Sequence, residues 1–408
     1  MTANRLQESD RARSSRFPRQ ADFWRLWIVG LASSAVRWIE LLVVAVFTYQ
    51  VTNSAFIVTM MALLRLLPMA LFGAFMGAAT DKVDRKRALI GMLLAMAVTS
   101  AAIALLAVLG RLEVWHLAVA SFINGSAWAT DMSLRRIMIG EVVGAERMAN
   151  AMALDIGANN ASRMIGPAVG GILLATAGIA SAYILSVGLY LVAIAAVMGL
   201  VHRNQKAPPG GEPILSRIAE GLREVRRSPR LMAIYAVTAI YNIFGWPFYS
   251  LVPVIGKDNL GLGPEGVGVL SSMDGVGAVI GAAWVIALAR PAYYTAFYVV
   301  GVGLFQLLMI GFALSTVAVA AGSFQVAAGI AGACFAVMQT TLLYHSVAPE
   351  MRARMLGLMS VCIGVGPIGF LQIGLLAELV GARNAIIISA VEGFIALLLT
   401  IPLWRAGR

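Results

Sequence analysis

Few residues in this chain can do chemistry, and most of those stand where charge is expensive. Charged residues make up only 12% of the sequence and hydrophobic ones 60%. Yet Arg37, Glu40, Arg65, Asp131, Arg163 and Asp274 interrupt long apolar runs. An ionisable side chain in such a run must be paired, or must exchange a proton or meet a ligand. Arg37 and Glu40 are three apart, so they share a helix face, as do Asp131 with Arg135 and Asn159 with Arg163, each four apart. Glu40 and Asp131 are the leading candidates for carrying a proton, and Asp274 is the reserve. Arg37, Arg65, Arg163 and Asn159 are candidates for cavity charge and ligand contact, because an arginine fork fits a carboxylate or phosphate. Glu392, in the last apolar run, reads as a packing or lipid-edge residue.

A second group combines aromatic and helix-breaking residues. Tyr241-Asn242-Ile-Phe-Gly245-Trp246-Pro247-Phe248-Tyr249 should kink a helix. Asn242 and Trp246 join the cavity candidates there, since an aromatic ring with a polar tip suits an amphipathic pocket. No Gly-Lys-Ser/Thr phosphate cradle is present, so ATP is not expected as an energy source. No Ser/His/Asp or Cys/His arrangement suggests an enzyme. His116, His202 and His345 are far apart, near the ends of apolar runs. Cys334 and Cys362 read as small buried hydrophobes. Neither a metal site nor a cofactor is expected.

The elements that must position these residues follow from hydropathy. Mean hydropathy is +0.84. Apolar stretches long enough to cross a bilayer as helices recur over about 24–50, 55–79, 87–109, 115–139, 153–177, 181–202, 231–255, 266–289, 292–314, 316–345, 355–379 and 383–404. The first twenty residues lack the apolar core of a cleavable signal. Net charge is +11, but its placement argues for a membrane and against nucleic acid. Of the 31 Lys and Arg, Arg111, Lys257 and Arg383 fall on one side. Arg37, Arg65 and Arg163 lie within spans, and the rest fall on the other side. That asymmetry puts the basic side and both termini in the cytoplasm. Residues 203–230 divide the chain into six spans and six. Ile214, Leu215, Ile218, Leu222 and Val225 repeat there at helical spacing, and such a helix should lie on the cytoplasmic surface with its arginines near anionic lipid. The expected organisation is a tail at 1–23, a six-helix bundle at 24–202, a linker at 203–230, a second six-helix bundle at 231–404 and a tail at 405–408.

Two motifs carry a family resemblance. Asp81-Lys82-Val-Asp84-Arg85-Lys86-Arg87, four residues after Gly77, places six charges in seven residues between apolar runs. With Gly77, Asp81, Arg85, Lys86 and Arg87 it resembles the loop between the second and third helices of the major facilitator superfamily. Lys82 replaces Arg, and Asp84 stands where Gly is usual; aspartate tolerates a left-handed turn better than most residues. The run Arg163-Met-Ile-Gly166-Pro167-Ala-Val-Gly170-Gly171 resembles the antiporter motif of the superfamily's exporters. Glycines four apart let helices approach closely, and Pro167 permits a bend. The halves also echo each other. Val143-Gly-Ala-Glu146 can be laid on Val347-Ala-Pro-Glu350, and Gly166-Pro167 on Gly366-Pro367, half a chain apart.

The resemblance implies an all-α membrane protein with twelve transmembrane helices in two six-helix repeats. It implies that Asp81 faces the start of span 11 when the cytoplasmic side is closed, while the basic residues pair with the end of span 4. Gly140 to Leu154 and the stretch from Glu220 to Pro229 are similar to the enterobactin-exporter and macrolide-efflux branch. The Arg-x-x-Gln-Gly motif of many proton-driven exporters is absent from span 4, which has Asn124-Gly125-Ser-Ala-Trp128-Ala-Thr-Asp131 instead. Three readings stay open: proton-coupled export of amphipathic small molecules, movement of an anionic substrate or lysolipid, and a sensor that uses the fold without transport. If Arg37 and Arg65 point into the cavity the second reading gains, and if they pair with Glu40 and Asp131 the first does. A monomer in the bacterial inner membrane is expected, with small-molecule substrate, protons and lipid as its partners.

Overall fold

In hydrocarbon every backbone N–H and C=O must be satisfied within the segment, so apolar runs of this length fold as helices. The structure, a computed structural model, describes residues 21–79, 84–201, 214–288, 290–348 and 351–406. Asp81 and Lys82, the tail at 1–20 and residues 203–213 of the linker lie outside the described residues, so the expected contact of Asp81 is not addressed. The described residues form α1 (Ala21–Thr52), α2 (Ala55–Ala79, which contains Gly77), α3 (Arg85–Val108), α4 (Val114–Val143) and α5 (Met148–Met198). The linker carries α6 (Ile214–Arg227), and α7 (Pro229–Ile240), α8 (Val252–Asp258), α9 (Pro264–Leu288) and α10 (Tyr294–Leu314) follow. The last are α11 (Ala318–Ser346), α12 (Arg352–Ile363), α13 (Gly366–Val380), α14 (Ala382–Leu398) and α15 (Ile401–Ala406).

Among the described residues nine helical stretches are long and apolar enough to cross a membrane. Three details separate this from the expected twelve. In α2 the described apolar stretch is Ala55–Leu71, and the sequence stays apolar to Ala79. Ser121, Asn124, Ser126, Thr130 and Asp131 lower the hydropathy of α4. The 51 residues of α5 are counted once, although Gly178, with φ 71°, joins two separate helices there. That left-handed conformation is cheap only for glycine. It falls in the expected break between residues 177 and 181, and the helix runs through Pro167 instead of ending at it.

Buried apolar side chains form three clusters. Two are built from residues 23–200 with Val267 added. The third is built from residues 225–397 with Tyr49 and Val58 added. Outward faces carry Ile286, Val319 and Leu379, all strongly exposed, as expected where lipid replaces water as the solvent. The expected kink is present: Tyr241–Gly245 is a π-turn and Trp246–Leu251 a 3₁₀ turn between α7 and α8. Pro247 has no N–H to give and its ring crowds the preceding turn, so an α-helical ladder cannot continue there.

One expectation is corrected. The apolar side of α6 is not simply laid on lipid: Val225 is buried, Gly221 sits against Met355 and Leu358 of α12, and Glu220 pairs with Arg354 at 2.6 Å. The start of α12 covers Val225 of that face, while Leu222 stays exposed.

Candidate functional site: a charged cavity between α1–α5 and α7–α13

The site is built from close helix approach. A methyl group at Gly166 would meet Trp38 Cβ of α1 at 2.7 Å, and one at Gly171 would meet Gly268 Cα of α9 at 3.0 Å. The motif glycines therefore let α5 touch α1 on one side and α9 on the other. The backbone N–H of Ala168 donates to Ser272 Oγ of α9 at 3.0 Å, which fixes that register. One turn away, Arg163 of α5 forms an ion pair with Asp274 of α9. Tyr249 donates to the same carboxylate. The Arg163 guanidinium lies 5.4 Å from the Trp38 ring, 5.3 Å from Trp246 and 5.6 Å from Tyr249. These cation–π distances hold a desolvated charge in a defined place.

This pair forms part of the wall of a cavity of about 320 Å³, a size that suits a small molecule. Five arginines, Arg37, Arg65, Arg135, Arg136 and Arg163, line it against two aspartates, Asp155 and Asp274. Arg135 bridges Asp131, at 3.1 Å, and Asp155. Arg136 is 3.8 Å from Asp155. Arg37 donates to Asn159 Oδ1 at 3.4 Å and lies 4.8 Å from the Trp128 ring. Arg65 donates to the backbone carbonyl of Arg37 at 3.3 Å.

The sequence candidates therefore divide. Asp274, Arg163, Arg37, Arg65, Asn159, Pro167 and Trp246 come together on the cavity wall. Glu40, Asp131 and Asn242 do not line it. Glu40 is fully buried behind the wall, where it accepts from Ser100 Oγ at 3.0 Å and Asn124 Nδ2 at 2.8 Å. Among the described residues no ion pair joins it to Arg37, although the two share a helix face. Asp131 is held by Arg135. Asn242 donates to the Thr238 carbonyl of its own helix at 2.9 Å. Asp155 was missed by sequence reasoning. Its signal was available: Asp155, Asn159 and Arg163 follow at intervals of four and share one face of α5.

Away from the cavity, Arg85 pairs with Glu141 near the end of α4, the contact that the resemblance implied for the basic run. Lys86 donates to the carbonyls of Met198 at 3.0 Å and Leu200 at 2.6 Å, at the C-terminal end of α5. The expectation for Asp84 is corrected. Its φ is −61°, not left-handed, and its side chain accepts from the Arg87 N–H at 3.0 Å as the N-cap of α3. At the opposite end of the molecule, where α1 and α8 finish, polar contacts join residues before the linker to residues after it. Tyr49 donates to Asp258, Lys257 donates to Asn53 Oδ1 at 3.1 Å, and Ser54 donates to Glu378 at 3.4 Å.

An all-helical membrane chain with a charged, small-molecule-sized cavity between its halves is the architecture of a transporter, not of an enzyme. The family profile described as "Transmembrane secretion effector" matches residues 15–405, and the chain belongs to that family, within the major facilitator superfamily. Macrolide efflux protein A of Streptococcus pyogenes is 24% identical over 386 residues, which cover 90% of this chain and 92% of the relative. Multidrug efflux pump Tap of Mycolicibacterium fortuitum is 27% identical over 81% of this chain and 83% of its own. The crystal structure of the nucleoside transporter NupG superposes with a TM-score of 0.74 at 14% identity, covering 94% of this chain and 99% of that one. That likeness supports the fold. The chain is therefore a multi-pass integral membrane transporter of a small-molecule substrate.

Proposed function

We propose that the protein is a proton-coupled antiporter that exports amphipathic small molecules from the bacterial cytoplasm by alternating access. The observation that carries this reading is the Arg163–Asp274 pair, an ion pair in the cavity wall between a helix before the linker and a helix after it. In a low-dielectric site a carboxylate deprived of its cation is costly, and so is the reverse. A proton on Asp274 removes the attraction to Arg163 and lets the two helices part. Loss of that proton draws them back together. The movement of the halves and the titration of one group are then a single equilibrium, and a substrate that binds one arrangement better shifts it.

The direction of transport rests on the relatives, whose names describe efflux of macrolides and of multiple drugs. The cavity's Trp38, Trp128 and Trp246, with apolar neighbours such as Met61 and Phe370, suit the apolar part of such molecules. In this reading twelve crossings form two six-helix repeats at 24–202 and 231–404, since α2, α4 and the two arms of α5 complete the count. Both termini and the linker are cytoplasmic in the inner membrane, the chain works as a monomer among lipids, and the proton gradient supplies energy without a cofactor. The contacts of Tyr49, Asn53 and Ser54 with Asp258, Lys257 and Glu378 then close the outward end.

The test is transport by purified protein in liposomes with an imposed pH gradient. A labelled amphipathic drug or lipophilic dye should accumulate against its own gradient, and a protonophore should stop it. Movement indifferent to the pH gradient and to its collapse contradicts antiport.

A further inference from the structure

Two of the five cavity arginines lack what the other three have. Arg135, Arg136 and Arg163 each stand within 4 Å of a carboxylate oxygen. Arg37 and Arg65 do not, among the described residues. Arg65 is 7% exposed, and its buried Nε has no hydrogen-bond partner. Among the described residues its one hydrogen bond goes to a helix carbonyl, at 3.3 Å. Arg37 has a 3.4 Å contact to an amide oxygen and an indole face. Glu40 lies within electrostatic reach of Arg65, but Ser100 and Asn124 occupy both of its oxygens. Asp131 lies within reach of Arg37 but is held by Arg135.

The arrangement is also fixed. Gly125 of α4 sits against the backbone of Arg65, with the Arg65 carbonyl carbon 2.7 Å from where a methyl group would stand. That close approach leaves α2 little room to turn the arginine elsewhere. A guanidinium removed from water, without a carboxylate and with a free donor, is poised for an oxyanion supplied from outside the protein. The Trp128 ring lies 4.8 Å from the Arg37 guanidinium, and Trp38 lines the same cavity.

We propose that Arg37 and Arg65 form an anion subsite, so that this transporter takes amphipathic ligands through a carboxylate or phosphate group, with the ligand's apolar body against the cavity tryptophans. The proposal rests on the reading of the cavity as the substrate site. It does not depend on proton coupling, and binding without any gradient tests it separately.

The probes are matched naphthalenes: 1-naphthaleneacetate, its neutral amide and 1-naphthalenemethylammonium. Binding to the purified, detergent-solubilised protein is read by calorimetry and by quenching of tryptophan fluorescence. The acetate should bind about 10–100-fold tighter than the amide, the range expected for charge-assisted hydrogen bonds. Arg65→Gln and Arg37→Gln should each bring that preference to within about 3-fold, mainly through weaker acetate binding, with a thermal melt reporting that the variant is folded. Arg65→Lys should keep part of the preference. If Arg65→Gln does not fold, the more exposed Arg37→Gln carries the test alone. Tightest binding of the ammonium probe, or an acetate preference that survives both substitutions, overturns the subsite. Lysophosphatidylglycerol and lysophosphatidylcholine identify the source of the anion. Competition with the acetate by the first only, lost in Arg37→Gln, assigns the subsite to a lipid headgroup. No competition, with the acetate still bound, assigns it to soluble amphiphiles.

Discussion

At the residue scale, Asp274 departs most from its position in the linear sequence. Spacing favoured Glu40, because Arg37 lies three residues before it. A shared helix face permits contact but does not compel it. Ser100 and Asn124 satisfy Glu40 from neighbouring helices, while Arg37 turns to Asn159 and Trp128. Asp131 and Arg135 do meet, as their spacing indicated. Asp274 and Arg163 are far apart in sequence and meet only through packing, so no local pattern could join them. Asp274→Asn keeps the shape and the hydrogen bond from Tyr249 but removes the titratable group. Proton-driven transport should fall at least ~10-fold, the effect of about 1.4 kcal/mol, with substrate exchange at equal pH retained. Glu40→Gln, outside the cavity, should lower the thermal midpoint by several degrees and leave coupling near wild type. Flux assays and thermal melts on the two variants, run side by side, check both. Retained coupling in Asp274→Asn would remove that residue from the mechanism.

At the element scale, the proposed mechanism requires α5 to approach α1 and α9 closely. The glycine spacing made that approach legible in the sequence, and so did the break near Gly-Trp-Pro in the α7–α8 segment. The partners were not legible, because a small-residue stripe says that something packs there but not what. Gly171→Leu would drive a side chain into α9, where Pro264 and Gly268 occupy the space. Transport should drop to near background, and the melting midpoint should fall, since overpacking costs roughly 1–3 kcal/mol. Gly91 has no neighbouring atom within 4 Å of the same position, so Gly91→Ala should leave both unchanged. Equal tolerance at the two sites would show that the α5–α9 approach does not matter. The linker teaches a related lesson. Its amphipathic period correctly gave a helix, but hydrophobic period alone does not distinguish lipid from the side of α12.

At the scale of the whole molecule, the membrane class was legible from hydropathy, and the family from two short motifs. The cavity was not, because it is formed by residues from distant segments. The proposed orientation rests on the placement of Lys and Arg. In a cysteine-free background, a single cysteine at Arg223 should resist membrane-impermeant thiol reagents in intact cells, and one at Asn259 should react. The reverse pattern would invert the topology and the direction of export. In the proposed mechanism the two sets of helices rock about the Arg163–Asp274 layer and open the cavity to one side at a time. Spin-label distance measurements at the two ends test this most directly, with one label pair at Val51 and Asn259 and another at Glu146 and Arg290, all exposed positions. On going from high to low pH, the Val51–Asn259 distance should lengthen while the Glu146–Arg290 distance shortens, with the populations changing together. Two ends that stay fixed, or that open and close in step, would contradict that motion.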